Sequence, residues 1–110
     1  MSLPDLTHLQ FLVIGILMGS EKAGRDIREE MAKHGAKKSS PAFYMMMKRM
    51  EDAGFVKGWY VKEDIDGQIV RERTYRVIGN GVRAWEESME FYARHQGIRA
   101  IGVQMNHGVS

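Results

Sequence analysis

One stretch of extended sequence interrupts a chain whose other segments favour helices, and it limits the folds that the chain can adopt. Residues 55–78 read FVKGWYVKEDIDGQIVRERTYRVI, in which β-branched and aromatic residues flank the pair Asp66-Gly67. Such residues favour strands, and an Asp-Gly pair suits a tight reversal between two of them. The sequence therefore predicts a two-stranded hairpin inside a mainly helical domain.

The first third of the chain predicts two helices of different character. Thr7 can cap a helix that is apolar on almost every face up to Gly19, so this helix must be covered on two sides. Its apolar run, residues 9–18, is too short for a membrane span and is interrupted by a glycine. An amphipathic helix follows in residues 23–35, ending at a glycine that favours the left-handed conformation.

The third helix has agreeing signals at both ends. Ser40 can cap it, Pro41 fits the first helical position, and Gly54 can end it. A helical projection groups the residues of one buried face, which are Phe43, Met46, Met47 and Met50. The opposite face carries Tyr44, Met45 and Lys48. Of the three consecutive methionines, Met45 is therefore the one predicted to face away from the core.

A fourth helix is predicted in residues 81–96. Its apolar residues recur at spacings of three and four, which is typical of a helix that packs along one side against another helix. These residues are Val82, Trp85, Met89 and Tyr92. Residues 97–110 form no recognisable element. We therefore divide the chain into residues 1–80, which hold three helices and the hairpin, the last helix, and a tail.

Positive charge is concentrated in the middle of the chain. Residues 37–76 carry nine basic and six acidic side chains, against four and five before them and three and three after them. A basic segment favours a partner that bears phosphate groups. The chain has no cysteine, which excludes disulfides and thiolate metal sites, and the cytoplasm is the expected compartment.

The basic groups flank the N-terminal end of the third helix. A helix end beside a basic hairpin is the outline of a winged helix-turn-helix, in which the helix enters the major groove of DNA. Basic side chains would contact phosphates, and the other polar or apolar ones could reach base edges or thymine methyl groups. The predicted DNA-binding residues are Lys37, Lys38, Ser39, Ser40, Tyr44, Met45, Lys48, Lys62, Gln68, Arg71 and Arg73. Glu51 and Asp52 would repel a polyanion, which restricts the contact to the first half of the helix.

Catalysis and metal binding find no support in the sequence. Four histidines are scattered without ligand spacing, and no nucleophile is accompanied by a base. We expect no cofactor, no metal and no enzymatic activity. The alternative that stays open is a protein-interaction module with the same fold, because the excess of positive charge in the middle of the chain is modest.

The residues around the third helix resemble the PadR family of bacterial transcriptional regulators. The segment PAFYMMMKRMEDAGFVKGWY is similar to the family's Phe/Leu-Tyr pair followed by K/R-R-L/M-E-x-x-G. The matching positions are Phe43, Tyr44, Arg49, Glu51 and Gly54. The closing Y-R-L-T-x-x-G of the family is matched through Tyr75, Arg76, Val77 and Gly81. The likeness spans residues 6–96.

Two positions depart from the family's pattern. Ile78 stands where a threonine usually caps the last helix, so Gly79 or Asn80 must begin that helix. Arg25 stands where many members have a tyrosine. The second departure affects a packing detail of the second helix.

The resemblance implies a homodimer that binds double-stranded DNA at pseudo-palindromic operators and usually represses transcription. In the family the last helix and the first helix join the subunits, in agreement with the spacing of apolar residues noted above. The predicted interface residues are Leu9, Val13, Val82, Trp85, Met89 and Tyr92. A single C-terminal helix is similar to the short subgroup of the family. Some members hold flat aromatic molecules against a tryptophan between these helices, so a repressor with an aromatic ligand at Trp85 is a further alternative.

Overall fold

The structure is a computed structural model that describes residues 5–95, and it contains four helices and one small sheet. The elements in chain order are α1 (His8–Leu17), β1 (Lys22–Ala23), α2 (Gly24–Lys33), α3 (Ser40–Asp52), β2 (Val56–Ile65), β3 (Gln68–Val77) and α4 (Gly79–Arg94). The prediction of a mainly helical domain with a hairpin is confirmed. The predicted tail, residues 97–110, lies outside the described residues. None of the helices within residues 5–95 is long and apolar enough to cross a lipid bilayer.

Strand β3 lies in the middle of a three-stranded antiparallel sheet, with β1 on one side and β2 on the other. We call β2, β3 and the turn between them the wing. Asp66 and Gly67 form this turn with φ angles of 53° and 81°, as a tight hairpin with an Asp-Gly pair requires. The sequence prediction missed β1, because a strand of two residues has no periodicity to detect.

The helix starts follow the predicted capping chemistry, with one shift. Thr7 caps α1: its hydroxyl accepts a hydrogen bond from the backbone of Gln10, whose side chain accepts one from the backbone of Thr7. The cap of α3 is Ser39, because its hydroxyl accepts a hydrogen bond from the backbone N–H of Ala42 at 3.3 Å. Ser40, the predicted cap, is instead the first helical residue.

Helix α4 begins earlier than the hydrophobic spacing predicts. Its first residue is Gly79, and Ile78 occupies the cap position without a side-chain hydrogen bond. This agrees with the expectation that the missing threonine moves the start of the helix to Gly79 or Asn80. The helix ends at Arg94, and the predicted end at residue 96 lies outside the described residues.

The core lies between the helices and the base of the wing. It is formed mainly by Val13, Ile14, Leu17, Ile27, Met31, Phe43, Met46, Met47, Met50, Val56 and Tyr75. The helical projection of α3 is confirmed for its methionines, since Met46 and Met47 are buried while 57% of Met45 is exposed. Val13 is completely buried in this core, so the prediction that it contributes to a dimer surface is wrong. A helix that is apolar on every face does not reveal which side its own chain covers.

Candidate nucleic-acid interface

The N-terminal half of α3 presents an exposed surface with positive charge. Ser39, Ser40 and Pro41 are exposed, and so is Lys37 just before them. One and two turns into the helix, Met45 is exposed and the side chain of Lys48 is 71% exposed. The unpaired N–H groups of a helix start add a partial positive charge to these lysines. This end of α3 is therefore suited to an anionic partner.

Lys38 differs from Lys37 in its surroundings. It is half-buried, and its backbone carbonyl accepts a hydrogen bond from the guanidinium of Arg28 on α2 at 3.3 Å. The contact fixes the loop between α2 and α3, which is the turn of the helix-turn-helix. The backbone of Lys38 thus positions the start of α3.

Tyr44 lies closer to the core than the sequence predicts. Its ring meets Phe43 edge to face at 5.0 Å, and its hydroxyl donates a weak hydrogen bond to Glu72 on β3 at 3.4 Å. Burial raises the pKa of the Tyr44 phenol, and the charge of the Glu72 carboxylate adds to the rise. Tyr44 therefore links α3 to β3, and the prediction that it points away from the protein is wrong.

The wing presents different side chains on its two faces. The cross-strand register places Lys62 opposite Arg71, on the same face as Tyr60 and Arg73. Gln68 lies on the other face of the hairpin. The predicted wing residues therefore do not form one surface: Lys62 and Arg71 belong together, and Gln68 is separated from them by the thickness of the sheet.

Arg73 lies well below the wing turn, where it pairs with Tyr60 and not with a residue of the tip. Its guanidinium donates a hydrogen bond of 2.6 Å to the carboxylate of Glu51 on α3. Burial disfavours the charged guanidinium, but the hydrogen bond and charge of Glu51 outweigh it and raise the pKa of Arg73. Arg73, one of the predicted DNA-binding residues, therefore lies away from the wing tip, and its charge is already matched within the chain.

Two exposed residues of this region were missed by the sequence prediction. Tyr60 is 57% exposed, and the guanidinium groups of Arg71 and Arg73 lie 4.5 Å and 4.8 Å from the centre of its ring. Its alternation with Lys62 on one strand was the available signal. Arg49 is exposed one helical turn beyond Met45 and was considered only as part of a family motif.

A groove of about 620 Å³ separates α3 from the wing. Its charged lining is balanced, with Lys48, Arg71 and Arg73 against Glu51, Asp52 and Glu72. Lys48 lies 3.1 Å from Asp52, in a pair that is largely exposed to solvent. Within residues 5–95, Lys62 and Arg71 form no ion pair. Unmatched positive charge is thus found at the start of α3 and in the middle of the wing.

A second surface lies where α1 packs on α4. We call it the α1–α4 surface; its half-buried or exposed apolar residues are Leu9, Phe11, Leu12, Ile16, Val82, Trp85, Met89 and Tyr92. Phe11 stacks on Trp85 at 6.0 Å and meets Tyr92 edge to face at 5.6 Å. A groove of about 510 Å³ runs beside these rings, and Lys22, Glu30 and His34 line its polar rim.

The histidines among residues 5–95 lie in separate places. His8 stacks on Tyr92 at 5.9 Å, and Nδ1 of His95 lies 2.8 Å from the backbone oxygen of Phe91. His34 is exposed at the rim of the groove beside Trp85. In the described part of the chain, no three acidic or histidine side chains come together in a group that could hold a metal ion.

Comparison with known proteins finds similarity in structure only. Neither a family sequence model nor a curated protein matches this sequence. A PadR family transcription regulator from Clostridium difficile R20291 has a TM-score of 0.75 at 18% identity, over 88% of this chain and 99% of that one. A PadR-like transcriptional regulator from Bacillus cereus has a TM-score of 0.72 at 18% identity, over 87% and 91% of the two chains.

A third similar structure includes nucleic acid. It is Bacillus subtilis PadR in complex with operator DNA, with a TM-score of 0.63 at 19% identity, over 76% of this chain and 47% of that one. Identities at this level do not carry function from one chain to another, but the TM-scores establish a common backbone arrangement. The resemblance drawn from the sequence is therefore confirmed at the level of the fold. This chain has the winged helix-turn-helix fold of the PadR-family transcription regulators.

Proposed function

We propose that this protein is a sequence-specific DNA-binding transcriptional regulator that acts as a repressor. The observation that carries the proposal is the exposed start of α3, where Lys37, Met45 and Lys48 project beside a wing that carries Lys62 and Arg71. The similar structure of Bacillus subtilis PadR with operator DNA supports the proposal, because it has the same fold. Regulation of transcription requires no catalytic group, and we assign none.

The two basic elements would contact neighbouring parts of one duplex. The start of α3 would enter the major groove, where Met45 can contact a thymine methyl group and Ser40 can reach a base edge. Lys37, Lys48 and Lys62 would contact phosphates, which supply affinity but little sequence preference. The groove between α3 and the wing would then face the sugar-phosphate backbone that separates the major groove from the minor groove.

We revise the set of residues that we assign to this contact. Arg73 and Tyr44 are removed from it, because their polar groups are held by Glu51 and Glu72. Tyr60 and Arg49 are added, because both are exposed next to residues already assigned. Arg71 stays in the set, and the ring of Tyr60 supports its guanidinium at 4.5 Å.

We further propose that two copies of the chain act as a homodimer through the α1–α4 surface. Two symmetric copies present two α3 helices, and a symmetric pair of helices fits an operator with inverted half-sites. Leu9, Val82, Trp85, Met89 and Tyr92 remain assigned to this interface, while Val13 is removed. The chain would act in the cytoplasm, where the nucleoid is accessible to it.

Selection from a randomised duplex pool tests the proposal directly. The protein is incubated with the pool, bound DNA is recovered, and the enriched sequences are read after several rounds. We expect an enriched motif with two inverted half-sites. Recovery of DNA without an enriched motif, or no recovery, contradicts sequence-specific binding and favours a protein-interaction module.

A specific observation also favours an aromatic ligand at the α1–α4 surface. The indole of Trp85 borders a groove of about 510 Å³ with apolar walls, and flat rings stack well on such a surface. A panel of planar aromatic compounds should quench tryptophan emission in a saturable manner. Because Trp59 also emits, the quenching should be lost in a Trp85→Phe variant. Quenching that persists in the variant, or fails to saturate, contradicts this ligand site.

A further inference from the structure

Polar contacts hold the wing to the helices from both of its sides. On one side, Glu51 of α3 accepts a hydrogen bond of 2.6 Å from Arg73 of β3. On the other, Arg25 at the start of α2 donates one of 2.6 Å to Glu63 of β2. The first contact is the more buried, with side chains 20% and 25% exposed against 31% and 46%. The Glu51–Arg73 contact is therefore the better placed to fix the wing.

We propose that Glu51 is a positioning residue for DNA binding, which sets the angle between α3 and the wing through Arg73. The inference deepens the proposed function and rests on it where DNA is concerned. The negative charge of Glu51 alone would repel phosphate and weaken DNA binding. As a positioning residue, Glu51 would instead strengthen DNA binding. The positions of α3 and the wing matter together, because the two elements must fit adjacent grooves of one duplex.

Two aromatic rings lie near the guanidinium of Arg73. The guanidinium lies over the ring of Tyr60 at 4.8 Å and near the ring of Tyr75 at 5.9 Å. Tyr75 is fully buried in the core, and Tyr60 is its neighbour on the same face of the wing. A charged pair held in this way loses less side-chain freedom on forming than a pair on an open surface. The contact with Glu51 is thus a fixed link between the helix and the sheet.

Gly58 provides the space that this link needs. It lies on β2 opposite Tyr75, and a Cβ atom at this position would come within 2.7 Å of Glu51 Oε1 and 2.9 Å of the Tyr75 ring. If position 58 carried a side chain, the Glu51 carboxylate would therefore have to move from its position beside Arg73. Gly58 on β2 thus leaves room for the Glu51 carboxylate of α3 to accept its hydrogen bond from Arg73.

Asp52 offers a matched control for the charge of Glu51. It follows Glu51 on α3, carries the same charge, and is exposed. Among residues 5–95, Lys48 is its only ion-pair partner. If both carboxylates act only by repelling phosphate, neutralising either one should strengthen DNA binding. If Glu51 positions the wing, Glu51→Gln should weaken binding while Asp52→Asn should not. The two hypotheses thus predict opposite signs for one substitution.

Fluorescence anisotropy with a selected duplex, at one fixed salt concentration, measures whether each substitution raises or lowers the dissociation constant. We expect the dissociation constant of Glu51→Gln to rise roughly three- to tenfold, which lies in the lower part of the range for one lost coupling between contacting residues. Arg73→Gln should weaken binding as well, and the double variant Glu51→Gln with Arg73→Gln should be no weaker than the worse single one. Binding by Glu51→Gln that is unchanged, or tightened as in Asp52→Asn, overturns the proposal.

A distance measurement without DNA separates this inference from the proposed function. The chain has no cysteine, so Ser40→Cys at the start of α3 and Ile69→Cys near the wing tip, both exposed, accept spin labels selectively. Labelled chains are diluted with unlabelled chains so that distances within one chain are measured. The distribution should shift or broaden with Glu51→Gln and Arg73→Gln but not with Asp52→Asn. An unchanged distribution overturns the positioning role, even if the wild-type protein binds DNA; a shift in a protein that binds no DNA refutes the proposed function alone.

Discussion

Trp85 of α4 stacks on Phe11 of α1 within a single chain, with ring centroids 6.0 Å apart and planes inclined by 15°. The contact joins the two helices before any second subunit is present. It also leaves apolar atoms uncovered, since Met89, one turn along α4, is 46% exposed. A domain of this size gains stability when such a surface is covered, which supports a second copy as the partner of α1 and α4.

Substitution of Met89 by lysine tests the homodimer. A charge at the centre of an apolar interface would have to be buried without a partner, which costs several kcal/mol, so Met89→Lys should sediment as a monomer. Ile69→Lys is the matched control, because Ile69 is also an exposed apolar residue, 72% exposed, but lies on the wing. The control should sediment like the wild-type protein. An unchanged dimer in Met89→Lys refutes the assignment of the α1–α4 surface.

Adjacent methionines of α3 should respond to alanine in opposite ways. Met47 is fully buried, so Met47→Ala should lower the free energy of unfolding by about 2–5 kcal/mol. Met45 is 57% exposed, and Met45→Ala should change that free energy by less than about 0.5 kcal/mol. Met45→Ala should instead reduce the preference for a selected operator over random duplex. Urea unfolding and competition binding measure the two effects, and a preference unchanged in Met45→Ala removes this residue from the base contacts.

Neutralisation of Lys48 should reduce the salt dependence of DNA binding. Each phosphate contact contributes a slope of roughly −0.9 to log affinity against log salt, so Lys48→Gln should make the slope shallower by about that amount. The loss should be similar for operator and random duplex, because phosphate contacts carry little sequence information. Lys57→Gln is the control, because Lys57 is exposed on the face of the wing that does not carry Tyr60. An equal effect of both substitutions argues against a specific contact by Lys48.

The buried phenol of Tyr75 should make the protein less stable at alkaline pH. Burial raises the pKa of Tyr75 from 10.0 to about 12, and the Glu51 carboxylate adds to the rise. Between these values the unfolded chain has lost a proton that the folded chain keeps, so the free energy of unfolding falls as pH rises. One such group lowers the free energy of unfolding by at most about 1.4 kcal/mol for each pH unit. Below the pKa of the unfolded chain, this group causes no change of stability with pH. Urea unfolding from pH 9 to 12 should show a steeper fall for the wild-type protein than for Tyr75→Phe; parallel curves contradict the burial effect.

Local signals predicted most of the fold. Capping residues, proline and helical spacing are short-range features, and they located α1 at Thr7 and α3 at the serines before Pro41. Helical spacing also predicted correctly that Met45 is exposed and that Met46 and Met47 are buried. Strand β1 could not be predicted in this way, because its two residues are ordered by pairing with Thr74 and Tyr75 far along the chain.

The sequence predicted the positions of candidate-site residues only where those positions are set by a single helix or strand. Exposure of Met45 and Lys48 follows from the helix that carries them, and Lys37 lies just before the start of that helix. The position of Arg73 depends on Glu51, which is 22 positions earlier in sequence and on a different element. The burial of Val13 likewise depends on which helices cover α1. Pairings of this kind between distant elements are set by the tertiary fold, and a single sequence does not display them.

Binding of a duplex at different salt concentrations tests the central claim most directly. A fluorescein-labelled duplex is titrated with the wild-type protein at several salt concentrations between about 50 and 200 mM, and anisotropy gives the dissociation constant at each. We predict saturable binding whose log affinity falls linearly with log salt, with a slope of several units for several phosphate contacts. Absence of binding at the lowest salt concentration, or an affinity that does not change with salt, would contradict the assignment of α3 and the wing to DNA.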